Sequence, residues 1–158
     1  MRPWNGRRWI TCALEFKDWV APKWAPGRWT ALFFHDEAVA LAAGHRPCAL
    51  CRRDAYRRYR DALGAGGAEA IDARLHRERL SGRAKRRHLR GWRSLPDGAF
   101  VEIDSVAHVV AADTVRAWSP HSGYGADRSR PIRGDAVVLT PPASLDVLAA
   151  GYAPQIAT

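Results

Sequence analysis

The chain has little of several things: its 158 residues include three cysteines, three lysines and one methionine. No stretch approaches the roughly 18 uninterrupted apolar residues of a membrane span. The first ten residues also lack the apolar core of a signal peptide. These absences predict a soluble, cytoplasmic protein, and the sequence gives no indication of its oligomeric state.

The cysteines are too few, and odd in number, for a disulfide framework. Two of them form a Cys48-x2-Cys51 pair, and the third is Cys12. This spacing favours a metal site or free thiols in a reducing compartment. The alternative is that Cys48 and Cys51 are small buried residues on a helix face.

Acidic residues are also scarce, since 25 Lys and Arg face 16 Asp and Glu and give a formal charge of +9. Residues 1–60 hold twelve basic and five acidic side chains, whereas residues 99–158 hold four and six. An excess of one sign over part of a chain is typical of a surface that binds polyanions. We therefore expect a nucleic-acid partner, with DNA preferred and RNA possible on the same electrostatics.

Hydrophobic patterning predicts an α+β fold. Aromatic and β-branched runs at 8–16 and 28–34 favour an N-terminal β-hairpin. Helices are predicted at 36–43, 47–63 and 68–80, and residues 82–93 form a basic arm without amphipathic period. Strands at 100–103, 107–110, 114–118 and 136–140 predict a small antiparallel sheet, followed by a C-terminal helix at 144–150.

The chain divides into three parts that we expect to form one compact unit. Residues 1–66 make a basic module whose hairpin and helices are organised around a zinc-type cysteine site. Residues 67–98 hold a helix and the basic arm. Residues 99–158 hold the sheet and the last helix.

The most specific motif is Glu37-Ala-Val-Ala-Leu-Ala-Ala-Gly-His-Arg-Pro-Cys-Ala-Leu-Cys51. Over about residues 33–52 the sequence resembles the zinc-binding module of the Ada family of bacterial DNA alkylation-repair proteins. That resemblance implies a DNA-binding module in which Cys48 and Cys51 hold zinc. In the family, four thiolates bind the metal, and one upstream thiolate accepts a methyl group from the DNA backbone.

The chain departs from that family upstream, where Cys12 stands alone instead of a cysteine pair. A four-thiolate site cannot be built, and the methyl-transfer activity carries over poorly. His45, three residues before Cys48, supplies a candidate fourth ligand and completes a Cys3His set with Cys12, Cys48 and Cys51. The alternative fourth ligands are His35, His88 and His121.

Two groups of residues are candidates for nucleic-acid contact. Arginines on one face of the 47–63 helix and the basic arm would bind phosphates, and tryptophans beside cations near the N-terminus suit stacking on bases. The candidates are Arg53, Arg57, Arg60, Arg83, Lys85, Arg86, Arg87, Arg90, Trp4, Trp19 and Trp24.

Two classes of function remain open at this point. The first is a zinc-stabilised DNA-binding protein that serves repair or modification. The second is a DNA-processing enzyme, a glycosylase or nuclease, with His76 and Glu78 as the candidate acid–base pair. Two residues apart on a helix, these side chains point about 200° away from each other, which argues against a shared site.

Overall fold

The structure is a computed structural model that describes residues 6–20, 32–64 and 66–157. These residues form four α-helices: α1 (Glu37–Ala42), α2 (Arg53–Leu63), α3 (Ala68–Arg79) and α4 (Pro142–Ala149). None of the helices in the described parts of the chain combines the length and the hydropathy that a membrane crossing requires.

The strands confirm the α+β class. Short strands precede α2 or follow α3, and longer ones fill the C-terminal half. They are β1 (Ile10–Thr11), β2 (Glu15–Phe16), β3 (Trp19–Val20), β4 (Arg46–Pro47), β5 (Leu80–Ser81), β6 (Ala84–Lys85), β7 (His88–Gly91), β8 (Phe100–Ile103), β9 (Val106–Ala111), β10 (Thr114–Ser119), β11 (Gly123–Ser129) and β12 (Asp135–Val138).

The last six strands make one antiparallel sheet in the order β11-β10-β9-β8-β12-β7. Its two faces bury different sets of side chains, because successive residues of a strand point to opposite sides. Val110 belongs to a large core with Tyr59 and Ile71, whereas Val109 belongs to a smaller core with Val39. The large core thus draws on all three parts of the chain, from α2, α3 and the sheet.

The N-terminal hairpin is present, although its strands differ from those expected. β2 pairs with β3 over Glu15–Phe16 and Trp19–Val20. β1 pairs instead with β4, in parallel, with Ile10 opposite Arg46 and Thr11 opposite Pro47. The part of the expected second strand at 28–31 lies outside the described residues.

Two segments between Arg46 and Trp92 differ from the sequence expectation. Pro47 does not open a helix, because it lies in β4, and α2 begins only at Arg53. The basic arm is not an arm: it folds into the β5–β6 hairpin and then into β7, an edge strand of the large sheet. The sequence of this segment shows no alternation of polar and apolar residues that would predict strands, because a hairpin and an edge strand can present polar side chains at most positions.

Candidate metal centre

Two parallel strands bring Cys12 and Cys48 together. Cys12 follows the last residue of β1, and Cys48 follows the last residue of β4. Parallel neighbours end at the same edge, so the residues after Thr11 and Pro47 must lie side by side. The backbone N–H of Cys48 donates to the carbonyl of Thr11 at 3.0 Å and extends this pairing by one residue.

The turn after Cys48 returns Cys51 to the same point. Leu50 N–H donates to the Cys48 Sγ at 3.4 Å, and Ala13 N–H donates to the Cys51 Sγ at 3.3 Å. The three sulfurs lie within 4.8 Å of one another. Three sulfurs bound to one tetrahedral zinc at about 2.3 Å would lie about 3.8 Å apart, so a small inward movement suffices.

The pKa values of Cys12 and Cys48 are shifted in opposite directions by their surroundings. Burial raises the pKa of Cys12 to about 12, and repulsion from Cys48 and Cys51 adds to that rise. Burial also opposes ionisation of Cys48, but hydrogen bonds from the backbone of Cys51 and Leu50 outweigh it and lower the pKa of Cys48. A divalent cation would relieve this repulsion, because metal coordination holds thiols deprotonated.

His45 does not join the three cysteines. Its side chain is buried, and its ring lies 4.6 Å from that of Phe34 and 5.2 Å from that of Trp9, centroid to centroid. Its Nδ1 atom is buried without a hydrogen-bond partner. Burial, followed by the nearby charges of Arg79 and Lys85, lowers the pKa of His45 to about 4. In this arrangement His45 is a neutral aromatic packing residue.

A buried ion pair fixes the strand that carries Cys48. Arg46 donates from Nε and Nη2 to the two carboxylate oxygens of Asp72 on α3, each at 2.8 Å. The pair is almost fully buried, with side-chain exposures of 3% and 9%. The Arg46 guanidinium also lies over the ring of Tyr56 on α2. Arg46 therefore ties β4 to two helices, and sequence reasoning had assigned it no role.

A second buried arginine joins the other end of α3 to the same region. Arg79 donates to the carbonyls of Gly44 and Arg7, each at 2.9 Å, and its guanidinium lies 3.8 Å from the ring centroid of Trp9. Gly44 has φ of +86°, and a Cβ there would lie 2.6 Å from the Arg79 Cδ. This glycine thus ends α1 and also makes room for Arg79.

Helix α2 presents part of the predicted arginine face. Ala55, Tyr56 and Tyr59 are buried, and Arg53 and Arg57 are exposed on the other side. Arg60 is partly neutralised by Asp61, to which it donates at 2.7 Å. As expected, these arginines lie on the side of α2 opposite the buried residues. Cys48 and Cys51, however, precede the helix and do not lie on it.

The basic side chains of the segment after α3 differ in their surroundings: some are exposed to solvent, and others form ion pairs or hydrogen bonds within the protein. Arg83, Arg86 and Arg90 are exposed, and Arg87 is paired with Glu102 at 2.8 Å. Lys85 differs from them, because its ammonium donates to the carbonyl of Ala42 at the end of α1.

The surroundings of Lys85 are apolar. It lines a cavity of about 620 Å³ whose other walls include Phe34, Phe100 and Trp118. Burial, followed by the charges of Arg79 and Arg87, lowers the pKa of Lys85 to about 8. A phosphate contact from this side chain would require it to leave that position.

The predicted tryptophan contacts remain predictions. Trp4 and Trp24 lie outside the described residues, and only the backbone of Trp19 is described, as part of β3.

The structure does not bring the functional atoms of His76 and Glu78 to a common partner. His76 Nδ1 lies 3.2 Å from an Arg79 nitrogen. Glu78 accepts from Arg74 at 2.9 Å and from the backbone N–H of Ala143 in the first turn of α4 at 2.6 Å. The Glu78 carboxylate therefore stabilises a helix N-terminus, where a negative charge is favourable.

The other predicted histidine alternatives are also outside the cysteine cluster. His35 makes an edge contact with Tyr124, and the Nε2 of His88 lies 2.9 Å from the carbonyl of Glu78. His121 is exposed in the turn between β10 and β11.

Two acidic residues in the resemblance motif have roles that the sequence did not reveal. Asp36 accepts from Val39 N–H and caps α1, and its second oxygen accepts from Tyr124 and Ala157. Glu37 accepts from Arg52 and Tyr152. Both carboxylates therefore join the start of α1 to the C-terminal part of the chain.

Comparison with known proteins adds no family: no family model, curated protein or solved structure matches the chain. The resemblance to the Ada module therefore stays a prediction from the motif. The structure itself shows a three-cysteine cluster that could hold a metal ion.

Proposed function

We propose that this protein binds DNA through an arginine surface whose position is fixed by one zinc ion on Cys12, Cys48 and Cys51. The observation that carries the proposal is the convergence of the three sulfurs within 4.8 Å. Thiolates select zinc among the common divalent ions, and among the described residues no Asp or Glu belongs to this cluster.

The link between metal and surface is short. Arg53, the first residue of α2, is two residues after Cys51. A metal that joins Cys51 to Cys12 and Cys48 therefore fixes the start of the helix that presents Arg53 and Arg57. Arg83, Arg86 and Arg90 are also exposed, and they suit phosphate contacts. DNA is the nucleic acid we propose, and repair or modification is the role that the motif resemblance suggests.

The metal is tested by elemental analysis of purified protein. We expect about one zinc per chain, with loss of zinc in Cys48→Ser and Cys51→Ser. His121→Ala is the matched control, because His121 is exposed and outside the cluster. Wild-type protein that contains no zinc, and whose melting is unchanged by a chelator, would contradict the zinc part of the proposal.

DNA binding is tested by anisotropy of a labelled duplex across a salt series. Contacts to about four to eight phosphates predict a log–log salt slope of about −4 to −7. Arg53→Glu with Arg57→Glu should weaken binding to every sequence alike, because phosphate contacts carry no base information. Arg77→Glu with Arg128→Glu, exposed arginines of α3 and β11, is the charge-matched control. A slope near zero, or equal losses in both variants, would reject the α2 surface, and tighter binding to single-stranded RNA would favour RNA as the partner.

A further inference from the structure

The three cysteines leave one position of a tetrahedral zinc ion without a ligand from this chain. We propose that this fourth position is open and takes an exchangeable sulfur ligand, a thiolate carried by a second molecule. The inference rests on the proposed zinc site, and it assigns that site a binding role in addition to a structural one. Closed structural zinc sites use four protein ligands, whereas three protein ligands and an open position define a reactive site.

The described residues offer no fourth donor at the cluster. The metal-capable group that they form contains Cys12, Cys48 and Cys51 and no His, Asp or Glu. The stretches outside the description, residues 1–5, 21–31, 65 and 158, contain no Cys, His, Asp or Glu in their sequence. A side chain of the usual ligand types therefore cannot come from them either.

The nearest candidate in sequence, His45, is held elsewhere. Its ring packs between Trp9 and Phe34, and the Arg46–Asp72 pair anchors the residue that follows it. Moving His45 to the metal would break these ring contacts and leave a space in a buried site. His45 therefore stays in its ring contacts with Trp9 and Phe34 and does not occupy the fourth coordination position of the zinc ion.

Cys12 and the residues that neighbour the cysteines in sequence include exposed apolar side chains. Cys12 is exposed. Leu14, two residues after Cys12, is 62% exposed, and Leu50, between the other two cysteines, is 70% exposed. Exposed leucines beside the ligands favour contact with the apolar part of an incoming molecule.

The chemistry of the donor set favours sulfur at the open position. Three thiolates form a soft site, and a fourth thiolate completes the four-sulfur set that zinc commonly accepts. In this exchange the incoming thiol loses its proton to solvent as its sulfur binds, and the water it displaces leaves. No electron is transferred and no covalent bond within the thiol other than S–H is broken.

The test uses the full chain, purified with a phosphine reductant so that no added thiol is present. X-ray absorption of the zinc protein should give about three sulfurs at about 2.3 Å and one oxygen donor at about 2.0–2.2 Å. After addition of 2-mercaptoethanol the sulfur number should rise to about four. The cobalt-substituted protein should gain sulfur-to-metal charge-transfer absorbance in the same titration, saturating at one thiol per cobalt.

Two results would overturn the inference while leaving zinc binding intact. The first is an imidazole scattering signature in the untreated protein, with loss of that signature in His45→Phe. The second is a cobalt spectrum that thiol does not change, or that imidazole changes and thiol does not. Absence of bound zinc would instead refute the proposed function itself, so the two failures are distinguishable.

Discussion

His45 shows how one side chain can match a ligand pattern and serve another purpose. It precedes Cys48 by three residues, which is a familiar metal-ligand spacing. In the structure its ring fills a buried site between Trp9 and Phe34.

Replacing His45 with phenylalanine should change the pH dependence of stability without removing the metal. The pKa of His45 is lowered from 6.5 to about 4 in the folded protein, so the unfolded chain binds the proton more readily. This group therefore favours folding above pH 6.5, and its contribution of about 3 kcal/mol is lost as the pH falls to 4. Phenylalanine cannot bind a proton, so His45→Phe should not lose this stability at low pH.

The measurement is urea unfolding of zinc-loaded wild type and His45→Phe at several pH values between 7.5 and 4.5. Protonation of the cysteines affects both proteins equally, so their difference isolates His45. Parallel stability curves for the two proteins would show that His45 does not stay neutral in the fold.

Gly44 and Gly64 allow a matched comparison of backbone strain and packing. Both have positive φ, +86° and +60°, but only Gly44 has Arg79 atoms where a Cβ would lie. Each change to alanine should cost about 1 kcal/mol for the left-handed backbone. Gly44→Ala should cost a further 1–3 kcal/mol, roughly, for overpacking against Arg79. Chemical unfolding of both variants measures this difference, and equal losses would contradict the close approach.

At the scale of elements, strand β4 depends on an ion pair between its own Arg46 and Asp72 of α3. Asp72→Asn should destabilise the protein by about 3–5 kcal/mol, because the charge of Arg46 would remain buried without its partner. It should also weaken zinc binding, since β4 positions Cys48. Asp61→Asn breaks the exposed pair with Arg60 and should cost less than about 1 kcal/mol. Urea unfolding and competition with a zinc-sensitive dye measure both effects, and similar values for the two variants would contradict the anchoring role of Asp72.

Elements with local signals were predictable from the sequence. The acidic first turn and Gly44 marked α1, and alternating strands with short turns marked β8, β9 and β10. β11 was not predicted, because glycines such as Gly123 and Gly125 are rare in strands, although pairing with β10 makes this segment a strand. The start of α2 was misplaced because Pro47 fits a helix start as well as a strand end.

The candidate site was predictable only in part, for a physical reason. The Cys-x2-Cys spacing identifies two candidate ligands because both lie in one turn. Cys12 was correctly predicted to join the cluster. Its position 36 residues before Cys48 does not show how the two meet. They meet through a parallel pairing of two-residue strands, and strands this short have no recognisable sequence pattern. The contacts Arg46–Asp72 and Arg79–Gly44 join residues that are 26 and 35 positions apart. No local sequence pattern predicts contacts over such distances along the chain.

At the scale of the whole molecule, the segments around the cysteine cluster and the large sheet should differ in how far their stability depends on zinc. A metal on the cluster would tie β1, β4 and the start of α2 together, whereas the large core that the sheet shares with α2, α3 and α4 includes none of the three cysteines. Chelation should therefore speed amide hydrogen exchange most in residues 10–12 and 46–53, and leave β8 and β9 protected. Exchange followed by mass spectrometry with and without chelator measures this pattern. Uniform acceleration across the chain would show instead that the metal holds the entire fold.

The position of β7 has a consequence for solubility. A strand at the border of a sheet carries backbone groups that can pair with a strand of another molecule. β7 lies at such a border, and the exposed Arg86, Arg90 and Arg93 lie in it or beside it. Because each copy carries the same positive charges there, two copies that approached edge to edge would repel each other. These arginines thus discourage strand pairing between copies, a protection that polyanions at high concentration would weaken.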